Sequence, residues 1–432
     1  MKYYLAIDLG ASSGRHIIGF EKDGKVVLEE IHRFKTGMDM TDDGLVWDIR
    51  RLFKEIKKGI KMAFSQYPKI ESISIDTWGV DYVLMNGNKE ILPCFAYRNK
   101  RCERSALEFH DVVPFEELYK RTGIQYAPFN TIYQLYDDLK NGRLDNATDY
   151  LMLPSYFTYK LTGKKTHEYT EESTGAFIDV FKKDYDLELL DEAHLPRKLF
   201  KDIQMPGFVV GDLLPSIQKS VGGNAKVILC ASHDTGSAFE AVDIPNDGIL
   251  VSSGTWSLIG IKSKEPIVSE ESLKGNYTNE GGVGYIRFLK NIMGMWINNE
   301  LKKEIVMKQD YIDAHIDETS YEVTFDVNDP SLNAPKSMKE ALLKLLDKCP
   351  PDNDLELFAS IYRSMAISYK NAIDELERIT GKVYKSIYIV GGGARNVYLN
   401  KLVEQYTKKK VIALPIEATS LGNIKIQMKA SE

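Results

Sequence analysis

Chemistry in this chain is concentrated in a few short stretches where carboxylates, hydroxyls and glycines fall together. The first is Asp8-Leu9-Gly10-Ala11-Ser12-Ser13-Gly14-Arg15. A carboxylate closes an apolar run, and small residues then turn the chain sharply. Glycine admits the positive φ that lets successive backbone N–H groups face one anion. Ser12 and Ser13 add hydroxyl donors, and Arg15 adds a fixed positive charge. Asp8 repels a phosphate, so it can serve one only through a hard cation such as Mg2+, which favours oxygen ligands. An ordinary hairpin turn capped by Asp8 is the competing reading.

Asp76-Thr77-Trp78-Gly79-Val80-Asp81 sets two carboxylates and an indole around a glycine at a predicted strand end, where open sheets bind ligands. An indole face covers the C–H groups of a sugar while a carboxylate accepts its hydroxyl protons; a buried Trp beside a turn is the alternative. His233-Asp234-Thr235-Gly236-Ser237 follows an apolar strand and opens a predicted helix. Asp234 there is either a helix N-cap or a general base for a hydroxyl. Phosphoryl transfer asks mainly for positioning, charge neutralisation and one such base. His233 alone reads as structural. Ser252-Ser253-Gly254-Thr255-Trp256-Ser257 is a second hairpin of small hydroxylated residues. Gly391-Gly392-Gly393-Ala394-Arg395-Asn396 offers bare backbone on which a flat group such as adenine can lie. A plain hairpin turn is the favoured reading of the first taken alone, and a tight strand-to-helix turn is the competing reading of the second.

These stretches need elements to hold them. Residues 3–8, 15–21 and 25–31 read as strands of an antiparallel meander. A helical period over 50–67 puts Leu52, Ile56, Ile60 and Phe64 on one face. Strands at 72–76 and 80–85 follow, and the order suggests an α/β layer with a mixed sheet. The second half repeats the pattern: a strand at 226–231, a hairpin at 248–253 and 256–262, a strand at 386–390, then a helix over 397–407. Two halves with one hairpin-first layout imply an internal duplication around a central cleft, although no residue-level repeat is visible. Turn chemistry in DIPNDG, 243–248, sets the boundary between domains 1–242 and 243–432. Residues 317–354, charged and interrupted by Pro330, Pro335, Pro350 and Pro351, read as surface helices and loops.

With 432 residues the chain is too long for one core. Its 43% hydrophobic and 27% charged residues are an ordinary globular balance. A net charge of -6 argues against a nucleic-acid partner, which needs a basic face. The first apolar run is too short for a signal peptide, and no later run has a membrane span's length, so a cytoplasmic location is expected. Cys94, Cys102, Cys230 and Cys349 show neither metal spacing nor a dense disulfide pattern. No G-x-x-x-x-G-K-S/T occurs, which excludes a P-loop, and no G-x-G-x-x-G follows the first strand. Gly10–Gly14 fits G-x-S-x-G by letters, but a nucleophile elbow needs a helix next, and here a strand is predicted.

Taken in order, the stretches resemble the FGGY carbohydrate kinases of the actin/hexokinase-like ATPase superfamily. The likeness runs through IDLGASSGR (7–15), IDTWGVDYVL (75–84), SHDTGSAF (232–239), SSGTWSLIG (252–260), TNEGG (278–282), LKNIMGMW (289–296), IVGGGARN (389–396) and EATSLGN (417–423). IDTWGVD and LKNIMGMW are most similar to the branch that phosphorylates the 1-hydroxyl of L-rhamnulose. The resemblance implies an α/β fold of two ribonuclease H-like (actin-like ATPase) domains flanking a catalytic cleft, with sugar bound by the first and nucleotide by the second. It implies that Ala11, Ser12, Ser13, Gly14 and Arg15 meet the phosphates of ATP and that Asp8 sits at Mg2+. Gly79, His233, Thr235 and Asn291 would touch the sugar, with Asp234 as proton acceptor. Thr255, Asn299 and Gly392 would complete the nucleotide site. Other readings stand beside this one: a xylulose, fuculose or ribulose kinase, a silent sugar- or nucleotide-binding homologue, or a phosphatase or ATPase of the same superfamily. The chain departs from the family in reading Asn99 where an Asp is usual and Asn299 where a Gln is frequent. Members of the family also continue in further helix past the point where EATSLGNIKIQMKASE stops, so the last element is expected to fray.

Overall fold

The first apolar run forms the strand Tyr3–Leu9, and it is buried on both faces because helices cover both. Leu5, Ile7 and Leu9 share a core with Leu52, Ile56 and Ile60 of the helix Ile49–Gln66. Tyr4 and Ala6, on the opposite face, meet Ile424 of the terminal helix Ala418–Ala430. This alternation follows from the two-residue period of a strand. The Asp48 side chain accepts from Arg51 N at 2.9 Å and so starts the first of these helices where an N-cap is needed.

The computed structural model describes residues 1–414 and 417–432. Two compact units divide the chain: Met1–Val242 with Lys262–Phe288 and Ala418–Glu432, and Asp243–Ile261 with Leu289–Glu417. In the first unit a six-stranded sheet runs in the order Val209–Asp212, Lys226–Ile228, Ile70–Thr77, Tyr3–Leu9, Ser13–Lys22, Lys25–Lys35. Tyr3–Leu9 pairs antiparallel with Ser13–Lys22 and parallel with Ile70–Thr77, which pairs parallel with Lys226–Ile228. The second unit repeats that connectivity. Gly248–Ser253 pairs antiparallel with Trp256–Ser263 and parallel with Ser386–Val390, which pairs parallel with Lys410–Ala413. The hairpin-first duplication is therefore present in the strand pairing, although the residues themselves do not repeat. Asn353 and Asn396 cap the long helices Asp354–Thr380 and Val397–Thr407.

The expected fraying of the last element does not occur. Ala418–Ala430 is helical, and Asn423, Ile424 and Gln427 on it are fully buried. The Gln427 amide donates to Leu5 O at 3.1 Å and accepts from Ser72 Oγ at 2.6 Å, which ties the helix to two strands of the first unit. Tertiary contacts hold what thirteen residues could not hold alone. Cys94, Cys102 and Cys230 are buried free thiols and Cys349 is exposed. Among the described residues no helix is long and apolar enough to cross a membrane.

One buried group gives this unit a pH dependence. His16 is fully buried against the helix Ile49–Gln66, where its Nε2–H donates to Ile56 O at 3.0 Å. Gly59 makes room for the ring, since a Cβ there would lie 2.4 Å from it. Burial, and then the neighbouring His32, hold the imidazole down at about 3. The unfolded chain takes up that proton near pH 6.5 and the folded chain does not, so the stabilisation is complete above about 6.5 and is lost as pH falls towards 3. Lowering the pH from about 7.5 to 5.0 should cost about 2 kcal/mol through this group. Urea unfolding at the two pH values should show that difference shrinking in His16→Asn; an unchanged difference would assign it elsewhere.

Candidate active site

Three carboxylates gather at one end of the first unit's sheet. Asp8 and Asp76 are cross-strand neighbours, one residue from the end of each parallel strand, and both are buried. The tight turn after Leu9 is closed by Gly10 N donating to Ser13 O at 3.0 Å, so the return strand begins at Ser13 and places Arg15 opposite Asp8. Arg15 Nε lies 3.1 Å from Asp8 Oδ2. Asp76 Oδ2 accepts from the Asn423 amide at 2.6 Å, while its Oδ1 is buried without a hydrogen-bond partner. Burial, and next the charge of Asp8, push the Asp76 carboxyl well above its usual range; Asn423 opposes this and Asp234 adds to it.

Asp234 reaches this group because its segment extends the sheet. Thr77 N donates to Ser232 O at 2.9 Å, and Thr77, the last residue of Ile70–Thr77, forms a parallel bridge with His233. The helix Asp234–Ala241 begins at once, with His233 in the cap position and no side chain capping it. Asp234 therefore does not serve as an N-cap. Its Oδ1 accepts from Thr235 Oγ1 at 3.1 Å, and its side chain is 31% exposed, the most open of the three acids. His233 Nε2 stands 3.5 Å from the same Oδ1.

Gly79 lies in the bend after Asp76, where an added Cβ would meet Thr174 at 3.1–3.3 Å. Val80 next to it has φ 70, a left-handed conformation that strains a β-branched residue. Thr174 Oγ1 holds its N–H at 3.2 Å, and Thr131 Oγ1 and the Gln134 amide hold its carbonyl at 2.9 and 3.2 Å. Backbone strain over-determined in this way clusters at functional sites. Asp81 and Trp78, which the sequence offered as a sugar platform, serve the scaffold. The Asp81 carboxylate accepts from Trp47 Nε1, Trp78 Nε1, Tyr97 N and the Gln134 amide. Asn99 is likewise committed, its amide donating to Asp43 O and Leu45 O and its carbonyl accepting from Arg101 N.

Behind Asp234 lie acidic residues that the sequence did not single out. Glu168 Oε2 accepts from Thr170 Oγ1, Glu171 N and Ser232 N, and its Oε1 accepts from Thr170 N. Burial pushes Glu168 up to about 7 despite these donors. It pins the short helix Tyr169–Glu172 to the segment that carries the base. Glu171 is fully buried, and burial, Glu168 and Asp234 raise it well above its usual range. Glu280 and Arg287 pair at 3.0 Å beside His233. Glu280 falls in the TNEGG stretch, which gave a faint signal; nothing local marks Glu168 or Glu171.

The second unit holds Thr255, Asn291, Asn299 and Gly392. Thr255 O accepts from Gly294 N at 3.1 Å, and Met295 N donates to Gly254 O at 2.9 Å, so the hairpin turn sits on the start of the helix Trp296–Glu304. Asn299 is exposed on the first turns of that helix, and Asn291 is half-buried on the strand Ile286–Met293. In the glycine turn Gly391 has φ 82, and a Cβ on Gly393 would lie 2.0 Å from Ser253 Oγ. Gly392 faces open space with nothing within 4 Å of its Cβ position. Two glycines are thus needed for close packing and the middle one is left bare.

Two α/β units of one strand layout, with acids gathered at the strand ends, define a class. Residues 3–239 match the N-terminal domain and residues 249–431 the C-terminal domain of the FGGY family of carbohydrate kinases, and the chain belongs to that family. Within it, the chain is similar to proteins named rhamnulokinase. That of Oceanobacillus iheyensis is 40% identical over 99% of this chain and 93% of its own length. The protein of that name from Halalkalibacterium halodurans is 40% identical over 100% and 94%, and that from Bacillus subtilis 37% identical over 99% and 90%. Among solved structures, xylulose kinase from Lactobacillus acidophilus superposes with a TM-score of 0.84 at 15% identity, covering 100% of this chain and 89% of that one. Plasmodium falciparum glycerol kinase with ADP does so with a TM-score of 0.79 at 13% identity, over 100% and 90%. These structural likenesses concern the fold.

Proposed function

We propose that the chain transfers the γ-phosphoryl group of ATP to the 1-hydroxyl of L-rhamnulose, with Mg2+ as the metal. The observation that carries this reading is the meeting of Asp8, Asp76 and Asp234 in one unit of a chain 40% identical to rhamnulokinases along its whole length. Asp234 takes the proton of the attacking hydroxyl as its oxygen bonds to the γ-phosphorus and the bridging oxygen leaves with its electron pair as ADP. Gly79, His233, Thr235 and Asn291 bind the sugar. The turn 11–15 carries the phosphates, and Thr255, Asn299 and Gly392 the rest of the nucleotide.

The residues present fit a hard cation. Two buried carboxylates on neighbouring strands, one with an oxygen lacking any hydrogen bond, bring together like charges whose repulsion a dication would relieve. A pair of carboxylates suits Mg2+, an ion usually held by one or two carboxylates together with waters and substrate phosphates. Asp8 would hold it, with Asp76 behind, and when bound it supplies charge neutralisation at the phosphate oxygens.

Release of ADP across a panel of L-rhamnulose, xylulose, fuculose and ribulose, with and without Mg2+, tests the assignment. L-rhamnulose should be the preferred acceptor; preference for another ketose would reassign the substrate, and ligand-induced thermal stabilisation without ADP release would make the chain a binding protein. Phosphate release without any sugar would favour an ATPase. Asp8→Ala should flatten the Mg2+ dependence of nucleotide binding, read by titration with and without the ion. An unaltered Mg2+ titration would remove Asp8 from the metal.

A further inference from the structure

Arg287 is wholly buried and its guanidinium is directed at the base through a histidine. Its Nε donates to Gly281 O at 2.7 Å, its Nη2 to Thr170 O at 3.4 Å, and its Nη1 lies 3.1 Å from His233 Nδ1 in hydrogen-bonding geometry. A guanidinium has donors only, so that ring nitrogen must accept. Glu280 Oε2 stands 3.0 Å from the same Nη1 and 3.2 Å from Nδ1, yet it makes no aligned hydrogen bond, as it would if Nδ1 carried a proton. The neutral ring then bears its proton on Nε2, the nitrogen that faces Asp234 Oδ1 at 3.5 Å. Thr235 Oγ1 donates to that same oxygen at 3.1 Å. Thr235 is thus hydrogen-bonded to Oδ1, and it is this same oxygen that lies near His233 Nε2.

We infer that Arg287, anchored by Glu280, is a positioning residue that fixes His233 in the Nε2–H tautomer, so that His233 and Thr235 occupy Oδ1 of Asp234 and leave Oδ2 to take the proton of the substrate hydroxyl. The inference rests on Asp234 being the base, as proposed above. Glu280 is needed because a guanidinium buried without a counter-ion is costly. Burial alone would raise the Glu280 carboxyl, but the Arg287 charge draws it below its ordinary range, which keeps it a carboxylate for that purpose.

Two measurements decide it. In protein labelled with 15N-histidine, His233, assigned by its loss in His233→Asn, should show the Nε2–H tautomer near pH 8. In Arg287→Met that signature should give way to a tautomer mixture. Removing the outer partner that orients a metal-bound histidine typically costs about 10–100-fold, and by analogy kcat of Arg287→Met should fall by about that factor. KM for ATP should stay within about twofold, and Arg287→Lys, which keeps a donor and a charge, should recover most of the loss. If Arg287→Met does not fold, the charge-neutral double variant Glu280→Gln/Arg287→Met is read in the same way. An Nδ1–H or doubly protonated ring in the parent protein, or an unchanged kcat in the folded variant, overturns the inference. Full turnover in Asp234→Asn would instead remove the reading beneath it, so the two failures are separable.

Discussion

Asp234→Asn should lose nearly all turnover while still binding its sugar. The substitution keeps the size of the side chain and an oxygen for Thr235, so the start of the helix Asp234–Ala241 should stand unaltered. What it removes is the capacity to take a proton. General-base catalysis is worth roughly 10²–10⁴-fold, and kcat should fall within or beyond that span. The sugar should still raise the melting temperature of the variant, because Gly79, His233 and Asn291 are untouched. A kcat within about threefold of the parent would refute the role of Asp234, since no interaction made only in the transition state would have been lost. Among the three gathered acids Asp234 is the one suited to this part. Asp8 is engaged by Arg15 and Asp76 by Asn423, both in buried surroundings, whereas Asp234 is open enough to meet a substrate.

The second large effect is structural. Gly422→Ala should destabilise the protein even though alanine is the better helix former by about 1 kcal/mol. A Cβ at position 422 would lie 1.7 Å from Ser237 O and 3.1 Å from Ala241 N, so the obstacle is the backbone of the helix Asp234–Ala241, which no side-chain rotation can relieve. Overpacking usually costs about 1–3 kcal/mol and more where the obstacle cannot yield; about 3 kcal/mol is expected here. The consequence extends to the site. Asn423 follows directly and donates to Asp76, and Ile424 closes on Gly19, whose Cβ position it would meet at 2.7 Å. Lifting the terminal helix therefore takes a donor from the acid cluster, and kcat should fall together with stability. Denaturant unfolding of Gly422→Ala would show a lower midpoint. A raised midpoint would mean that helix propensity outweighs packing, and that the two helices are not in contact as described.

Local chemistry was legible from the residues alone. The apolar run over residues 3–8 and the helical stripe of Leu52, Ile56, Ile60 and Phe64 set elements to within a residue or two. Small residues after Asp8 and after Ser253 called for tight hairpins, and both are present. Such features depend on a residue's immediate neighbours, which is why a linear pattern carries them. The order of the motifs along the chain was equally readable, and it pointed to the family.

Tertiary structure alone decided which carboxylates are free to act. On paper Asp76 and Asp81 flank one glycine and look alike. In the fold Asp81 is surrounded by four donors, three of them from distant segments, whereas Asp76 is set against Asp8 across two strands and keeps an oxygen without a hydrogen bond. The terminal helix is a case of the same kind: its amphipathic signal is weak because both of its faces are buried against the first unit, and its polar Asn423 and Gln427 are there to satisfy partners more than three hundred residues away. A carboxylate's chemistry is set by the donors and charges that long-range folding brings to it, and those distances are not encoded in any local spacing.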